Sequence, residues 1–487
     1  VDGLELLREH KSYALLDDVG CGKTAPLAVR VGEILTQARK TDSHARALVI
    51  AEQTLIYQWP AAIEEVAPGW DARWITGKMT ATEKRRFWVA PPDIICTNYE
   101  YVKSIEREIG TLVVAGHLCV VVCDEGHNLA GYRGPRSPAG KQAARIIRLT
   151  RSVPFKYLAS ASLLDNPDSP RVWGPLNWLD PSILPATVSM FERAFYDNFS
   201  GTFKYKQLKL KPMMVSELSR RLRTISRRVL LEDTGAEVPE RIIRDIYVQV
   251  SPKLRKFYRD LLEHATVQHG ERLLSRPEVL ARNMALLQVA SGFIIDTPDQ
   301  FEALVAASQG TPLPETQILH IDTSHKDKAL EAICKELERK DKLIVWAHHT
   351  HELRWLQEQL ADLRGGGVAL VDGYVTGEAR RRAIGGFTEG RTLNTFLGQP
   401  GACGAGLNLQ VAQHMVRWSR SHFITQHNQS LGRNRRAIRE QAFSKIVYHS
   451  IMADATVDVR TELRNRGKRE FAGQILLDHL SYEERNL

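Results

Sequence analysis

The chain has only six cysteines in 487 residues, and none forms a C-x-x-C pair, which excludes a disulfide scaffold and a zinc ribbon. Cys119 and Cys123 sit in the apolar run CVVVC and read as buried strand residues. No apolar stretch approaches the roughly 18 residues of a membrane span, and no signal peptide is visible, so a cytoplasmic protein with no membrane contact is expected. Internal repeats and low-complexity tracts are missing too, which removes solenoids and disordered tails. Neither charge sign dominates: 66 Lys and Arg against 57 Asp and Glu leave a net charge of +9. That excess permits a nucleic-acid partner without requiring one. What remains is an ordinary globular composition, 43% hydrophobic and 25% charged, on a chain long enough for two or three domains.

The charge is unevenly placed. Between Lys204 and Arg228 stand nine basic residues, including Arg220, Arg221, Arg227 and Arg228, against the single acid Glu217. This segment is either a solvated face or a nucleic-acid clamp. Around it, short apolar runs alternate with helical spacing in two blocks. ALVIA (47–51), DIICT (93–97), CVVVCDE (119–125) and FKYLASA (155–161) form the first. KLIVWA (342–347), VALVDG (368–373), TLNTFLG (392–398), HMVRWS (414–419) and KIVYHSI (445–451) form the second. β-Branched runs separated by helices predict parallel sheets covered by helices. The expected fold class is α/β, with two parallel-sheet lobes and helical insertions between them. The boundaries are 1–168, 169–315 and 316–487, with 216–232 and 251–274 as helical segments and IIRDIYVQV (242–250) crossing between the halves.

Residues 17–24 read DDVGCGKT, after the apolar YALL and before a helical pattern. A glycine turn opening a helix aims backbone N–H groups and the positive helix end at phosphate oxygens. Gly20, Cys21 and Gly22 would wrap the phosphates, Lys23 would reach the β- and γ-phosphates, and Thr24 would ligate Mg²⁺. Asp17 stands where the usual longer pattern has its first glycine. About a hundred residues on, CVVVCDEGH ends an apolar strand in two carboxylates, at the strand edge where α/β sheets bind ligands. There Asp124 would hold Mg²⁺ and Glu125 would orient and deprotonate the attacking water. Together the two segments indicate an NTPase with ATP and Mg²⁺ as its cofactors.

These segments resemble motifs I and II of superfamily-two helicases, and in particular of Swi/Snf-type DNA translocases, the chromatin-remodeller-like ATPases. ALVIAEQTLIYQW (47–59) resembles motif Ia, DIICTNYEYV (93–102) motif Ib, CGAGLNLQVAQHMV (403–416) motif V and QSLGRNRRAIREQ (429–441) motif VI. The lobe-joining segment (222–258) and ATVDVRTELRNRGK (455–468) are similar to the family's linker and C-terminal brace. The resemblance implies two RecA-like lobes and Gln429, Arg433 and Arg436 acting on ATP from lobe two, the arginines as fingers. It also implies Gly404 and Gly406 near the nucleotide, and Thr54, Thr97 and Asn408 on DNA. The implied activity is a DNA-stimulated ATPase tracking along double-stranded DNA and displacing bound protein, in a compact bacterial or phage form and as a monomer. A strand-separating helicase and a non-motor DNA-binding subunit are the alternatives. The sequence departs from the family in LASASLLDN (158–166), where Ala159 and Ala161 replace threonines, and at Gln399-Pro400. The family's adenine-recognising glutamine motif is expected just upstream of Val1.

Overall fold

The computed structural model describes residues 3–131, 138–161, 163–199, 208–269, 272–276, 279–296, 316–390, 392–403, 407–422, 424–435 and 443–477. Seven parallel strands build the first sheet: β1 (Ser12–Leu15), β2 (Arg46–Ala51), β3 (Ala72–Ile75), β4 (Ile94–Asn98), β5 (Leu118–Asp124), β6 (Phe155–Ala159) and β7 (Ser226–Arg227). Their spatial order is β3-β4-β2-β5-β6-β1-β7. Six more form the second: β8 (Glu240–Val248), β9 (Leu343–Trp346), β10 (Gly367–Val371), β11 (Leu393–Gly398), β12 (His414–Arg417) and β13 (Lys445–Ala453). They lie in the order β8-β13-β12-β9-β11-β10, again all parallel.

The alternation of side chains explains why the apolar runs became central strands. Leu48, Ile50, Val121 and Cys123 pack into a core on one face of the first sheet, and Ala47, Val49, Val120 and Val122 into a core on the other. A strand buried on both faces needs an unbroken apolar run, and β5 is buried along its whole length. In the second sheet Leu343 and Val345 face one core and Ile344 and Trp346 the other.

Two segments depart from their expected form. Helical spacing over 216–232 holds only for Val215–Arg223. The chain then turns and pairs Ser226 and Arg227 with Ala14 and Leu15 as β7. Over 251–274 the helix stops at His264, where Ala265 turns left-handed (φ 57°), and Thr266–His269 pairs with Arg272–Ser275 as a hairpin. β7 belongs to the first sheet, while β8, expected as a crossing segment, is the edge strand of the second. The C-terminal helix Val457–Leu477 spans both lobes: Val457 packs in a lobe-two core, and Ile475 in the lobe-one core.

Candidate active site

The phosphate-loop segment follows β1 and opens the helix Thr24–Ala38, whose buried Leu27, Val31, Ile34 and Leu35 fix it against the sheet. Gly22 has φ 72°, and a Cβ there would touch nothing, so the glycine serves the backbone conformation and not a tight contact. Lys23 lies at the helix start and folds back over the loop, its Nζ donating to the carbonyls of Asp17 (2.8 Å) and Asp18 (2.9 Å). Asp17 is fully buried and accepts from Arg227 Nη2 (2.8 Å) and from the Val229 amide (3.0 Å). That structural duty explains a carboxylate at this position. Cys21 leans towards the Val229 carbonyl, and burial pushes its thiol up to about 11, so it is neutral and unreactive.

Asp124 ends β5 and receives hydrogen bonds from Trp59 Nε1 (3.0 Å) and the Glu125 amide (2.9 Å). Burial, reinforced by the charge of Glu125, pushes its carboxyl up to about 6. Lys23 is close enough to pull it back down. A buried carboxylate short of positive charge, with the Thr24 hydroxyl nearby in sequence to Lys23, is a hard-oxygen donor set that suits Mg²⁺. Glu125 itself adopts φ 50°, a left-handed conformation that costs a non-glycine residue on the order of 1 kcal/mol. Gly126 cannot be anything larger, since a Cβ would meet Leu158 Cγ at 2.3 Å.

His127 is held between two carboxylates. Its Nδ1 faces Glu125 Oε2 at 3.2 Å and its Nε2 faces Glu52 Oε1 at 3.5 Å, with Ser160 Oγ 3.4 Å from Nδ1. Burial works against its charge, but the Glu125 and Glu52 carboxylates outweigh burial and hold the imidazolium up to about 10. Ser160, in the altered LASASLLDN segment, thus keeps a contact to the Asp-Glu-Gly-His strand end. Glu52 was not anticipated. Like Asp124 it follows the C-terminal end of an apolar central strand, and that position was the available signal.

Lobe two supplies the opposite wall of the cleft through the helix Ile424–Leu431 and the turn after it. Gln429 and Arg433 are both buried there, and the Arg433 carbonyl accepts from the Leu409 amide at 2.9 Å. Gly432 sits against Val19 of the phosphate loop, and Asn428 Nδ2 donates to Asp165 Oδ1 at 2.9 Å across the lobes. Gly404, Gly406 and Arg436 lie outside the described residues, as do Lys204 and Lys206 of the basic segment.

The residues expected on DNA are scattered. Thr54 is half-buried in the turn after β2, and Asn408 is exposed with its Oδ1 accepting from the Gln410 amide. Thr97 is corrected: it is fully buried in β4 and donates its hydroxyl to the Ile75 carbonyl, so it has no surface to offer a phosphate. Arg227 and Arg228 are part-buried and paired within the chain. Arg227 pairs with Asp17, and Arg228 bonds Asp18 Oδ1 (2.6 Å) and the carbonyls of Leu16 (2.8 Å) and Ala161 (2.9 Å). Arg221 lies over the Phe195 ring and donates to the Ile183 carbonyl, while Arg220, 64% exposed at its side chain, pairs with Glu217.

A phosphate loop and an Asp-Glu pair on one parallel sheet, with the Gly432 turn of a second lobe against the loop, define a two-lobed P-loop ATPase. The chain belongs to the SNF2-related domain family, which matches residues 4–291, and a helicase conserved C-terminal domain matches residues 325–438. It is therefore an ATP-hydrolysing enzyme of helicase superfamily two with RecA-like lobes. Similar proteins include the chromatin structure-remodeling complex subunit snf21 of Schizosaccharomyces pombe, 21% identical over 85% of this chain and 33% of that protein. An uncharacterized ATP-dependent helicase of Mycoplasma pneumoniae is 19% identical over 98% of this chain and 42% of its own length. The chain spans about a third or less of the yeast relatives snf21, STH1/NPS1 and SNF2. Among solved structures, the Sulfolobus solfataricus SWI2/SNF2 ATPase core in complex with dsDNA is similar at 16% identity and a TM-score of 0.39, covering 99% of this chain and 93% of that one. No helix among the described residues is long and apolar enough to cross a membrane.

Proposed function

We propose that this protein is an ATP- and Mg²⁺-dependent translocase on double-stranded DNA that remodels or displaces bound protein. What supports the proposal is the contact between the lobes at the phosphate loop, where Gly432 of lobe two lies against Val19 and Asn428 donates to Asp165, so that hydrolysis and lobe movement would share a site. The loop amides and Lys23 bind the phosphates, Lys23 exchanging its two carbonyl partners for phosphate oxygens. Thr24 and Asp124 hold Mg²⁺, which neutralises charge on the phosphates when bound. Glu125 takes a proton from water as the water oxygen attacks the γ-phosphorus, and the bond from that phosphorus to the ADP oxygen breaks. Arg433 and Arg436 stabilise charge on the equatorial oxygens, a role worth about 10³–10⁵ in rate. Closure on ATP and opening after hydrolysis step one lobe along the DNA backbone.

Duplex DNA as the track is consistent with the family and with the DNA in the similar archaeal complex. Steady-state ATPase assays with no nucleic acid, duplex DNA and RNA test it. At least tenfold stimulation by duplex DNA is expected, without separation of a forked duplex. Stimulation by RNA above that by DNA, or none by either, would sink the proposal.

A further inference from the structure

The turn that follows β2 touches the catalytic strand end at two separate points. At its start, Glu52 Oε1 faces His127 Nε2 (3.5 Å) and accepts from Asn128 Nδ2 (3.4 Å). At its end, Trp59 Nε1 donates to Asp124 Oδ2 (3.0 Å). Between these anchors, residues 53–58 form a continuous turn, tied by the Leu55 and Ile56 amides to the Glu52 carbonyl, and Thr54 and the exposed Tyr57 are carried on it. A load on the turn therefore reaches the Asp-Glu-Gly-His end of β5 through two side chains, in addition to the direct pairing of β2 with β5.

We propose that Glu52 is a positioning residue which transmits engagement of the 53–58 turn to Glu125 by way of His127. This rests on the reading of Glu125 as the base and of the turn as DNA-facing. Glu52 and Glu125 grip opposite nitrogens of one imidazole, so a shift of either carboxylate moves the ring and with it the other. The Ser160 hydroxyl and the charge of Asp165 also act on His127. Neither replaces Glu52 at Nε2. With both carboxylates in place the ring stays charged and fixed in orientation. With one removed the ring loses one of its two carboxylate anchors, and Glu125 loses its defined direction towards the water.

The experiment compares the full chain carrying Glu52→Gln and Glu52→Asp with the unaltered protein, using ATP, Mg²⁺ and saturating duplex DNA. Glu52→Gln is expected to lower kcat at least tenfold, with KM for ATP and the DNA concentration for half-maximal stimulation each within twofold. Glu52→Asp, which keeps the charge, should recover kcat to within about threefold of the original. A wild-type kcat in Glu52→Gln, or a Glu52→Asp as impaired as Glu52→Gln, overturns the proposal. A purely structural Glu52 would move KM, DNA half-saturation and the thermal midpoint together, which also overturns it. Glu125→Gln separates the two levels. If it still hydrolyses ATP, the base assignment has failed. If it is inactive while Glu52→Gln is unaffected, only the coupling role has failed.

Discussion

At the scale of single residues, Lys23 shows how a binding group is kept ready without its ligand. Its Nζ rests on two backbone carbonyls at 2.8 and 2.9 Å, neutral acceptors that a phosphate oxygen displaces readily. Lys23→Ala removes the group proposed to follow the γ-phosphate and leaves the turn at 53–58 intact. Turnover should fall below detection while the DNA dissociation constant, measured by fluorescence anisotropy, stays within about threefold. A parallel loss of DNA binding would mean that the loop also shapes the DNA surface. Lys23, Thr24, Asp124 and Glu125 were readable because their spacing follows from the backbone of a strand–turn–helix unit. Glu52, Asp165 and Asn428 were not, since they matter only through partners 76, 263 and 263 residues away in the chain.

At the scale of elements, nine of the thirteen strands in the two sheets coincide with apolar runs of the sequence. A parallel strand buried on both faces has little choice of side chain, which is why those runs stood out. β1 was visible only as the apolar run before the phosphate loop, and β3 and β7 escaped notice because edge strands need no such run; β3 carries an exposed Trp74 and β7 is two residues long. The basic segment shows that charge counted along the chain does not say what each residue faces. Arg228 anchors Asp18, Leu16 and Ala161 at once and ties the phosphate loop to the altered LASASLLDN segment. Arg228→Ala leaves those acceptors unpaired, at about 1–3 kcal/mol each where buried, so kcat should drop at least tenfold with the salt dependence of DNA binding unchanged. Arg220, the exposed member, should behave in the reverse way. Arg220→Ala is expected to reduce the slope of log affinity against log salt by about one and to leave kcat at saturating DNA alone. An unchanged slope would make the whole segment a solvated or structural face.

At the scale of the whole molecule, the lobes meet through polar contacts whose strength depends on protonation. Asp165 accepts from Asn428 across the cleft, and burial pushes its carboxyl up to about 6 despite that bond. An unfolded aspartate releases its proton near pH 4. Between about pH 4 and 6 the folded protein therefore binds the extra proton, and the contribution of Asp165 to stability is greatest in acid and declines as pH rises through that window. At pH 7.5 the ionised, buried carboxylate is a burden of about 2–3 kcal/mol. Asp124 is raised in the same direction, so the pH slope of the unaltered protein contains both groups, and only a difference between variants isolates one. Asp165→Asn keeps the volume and the cross-lobe hydrogen bond, with the Asn428 amide turned over to suit, but cannot ionise. Its thermal midpoint at pH 7.5 should exceed that of the unaltered protein by a few degrees, and the gap should close by pH 5. A midpoint lowered at pH 7.5 would show instead that the charged carboxylate is a net stabiliser of the closed lobes, held by Asn428 against its burial. In that case the lobes would loosen, not tighten, as the solution is made acidic.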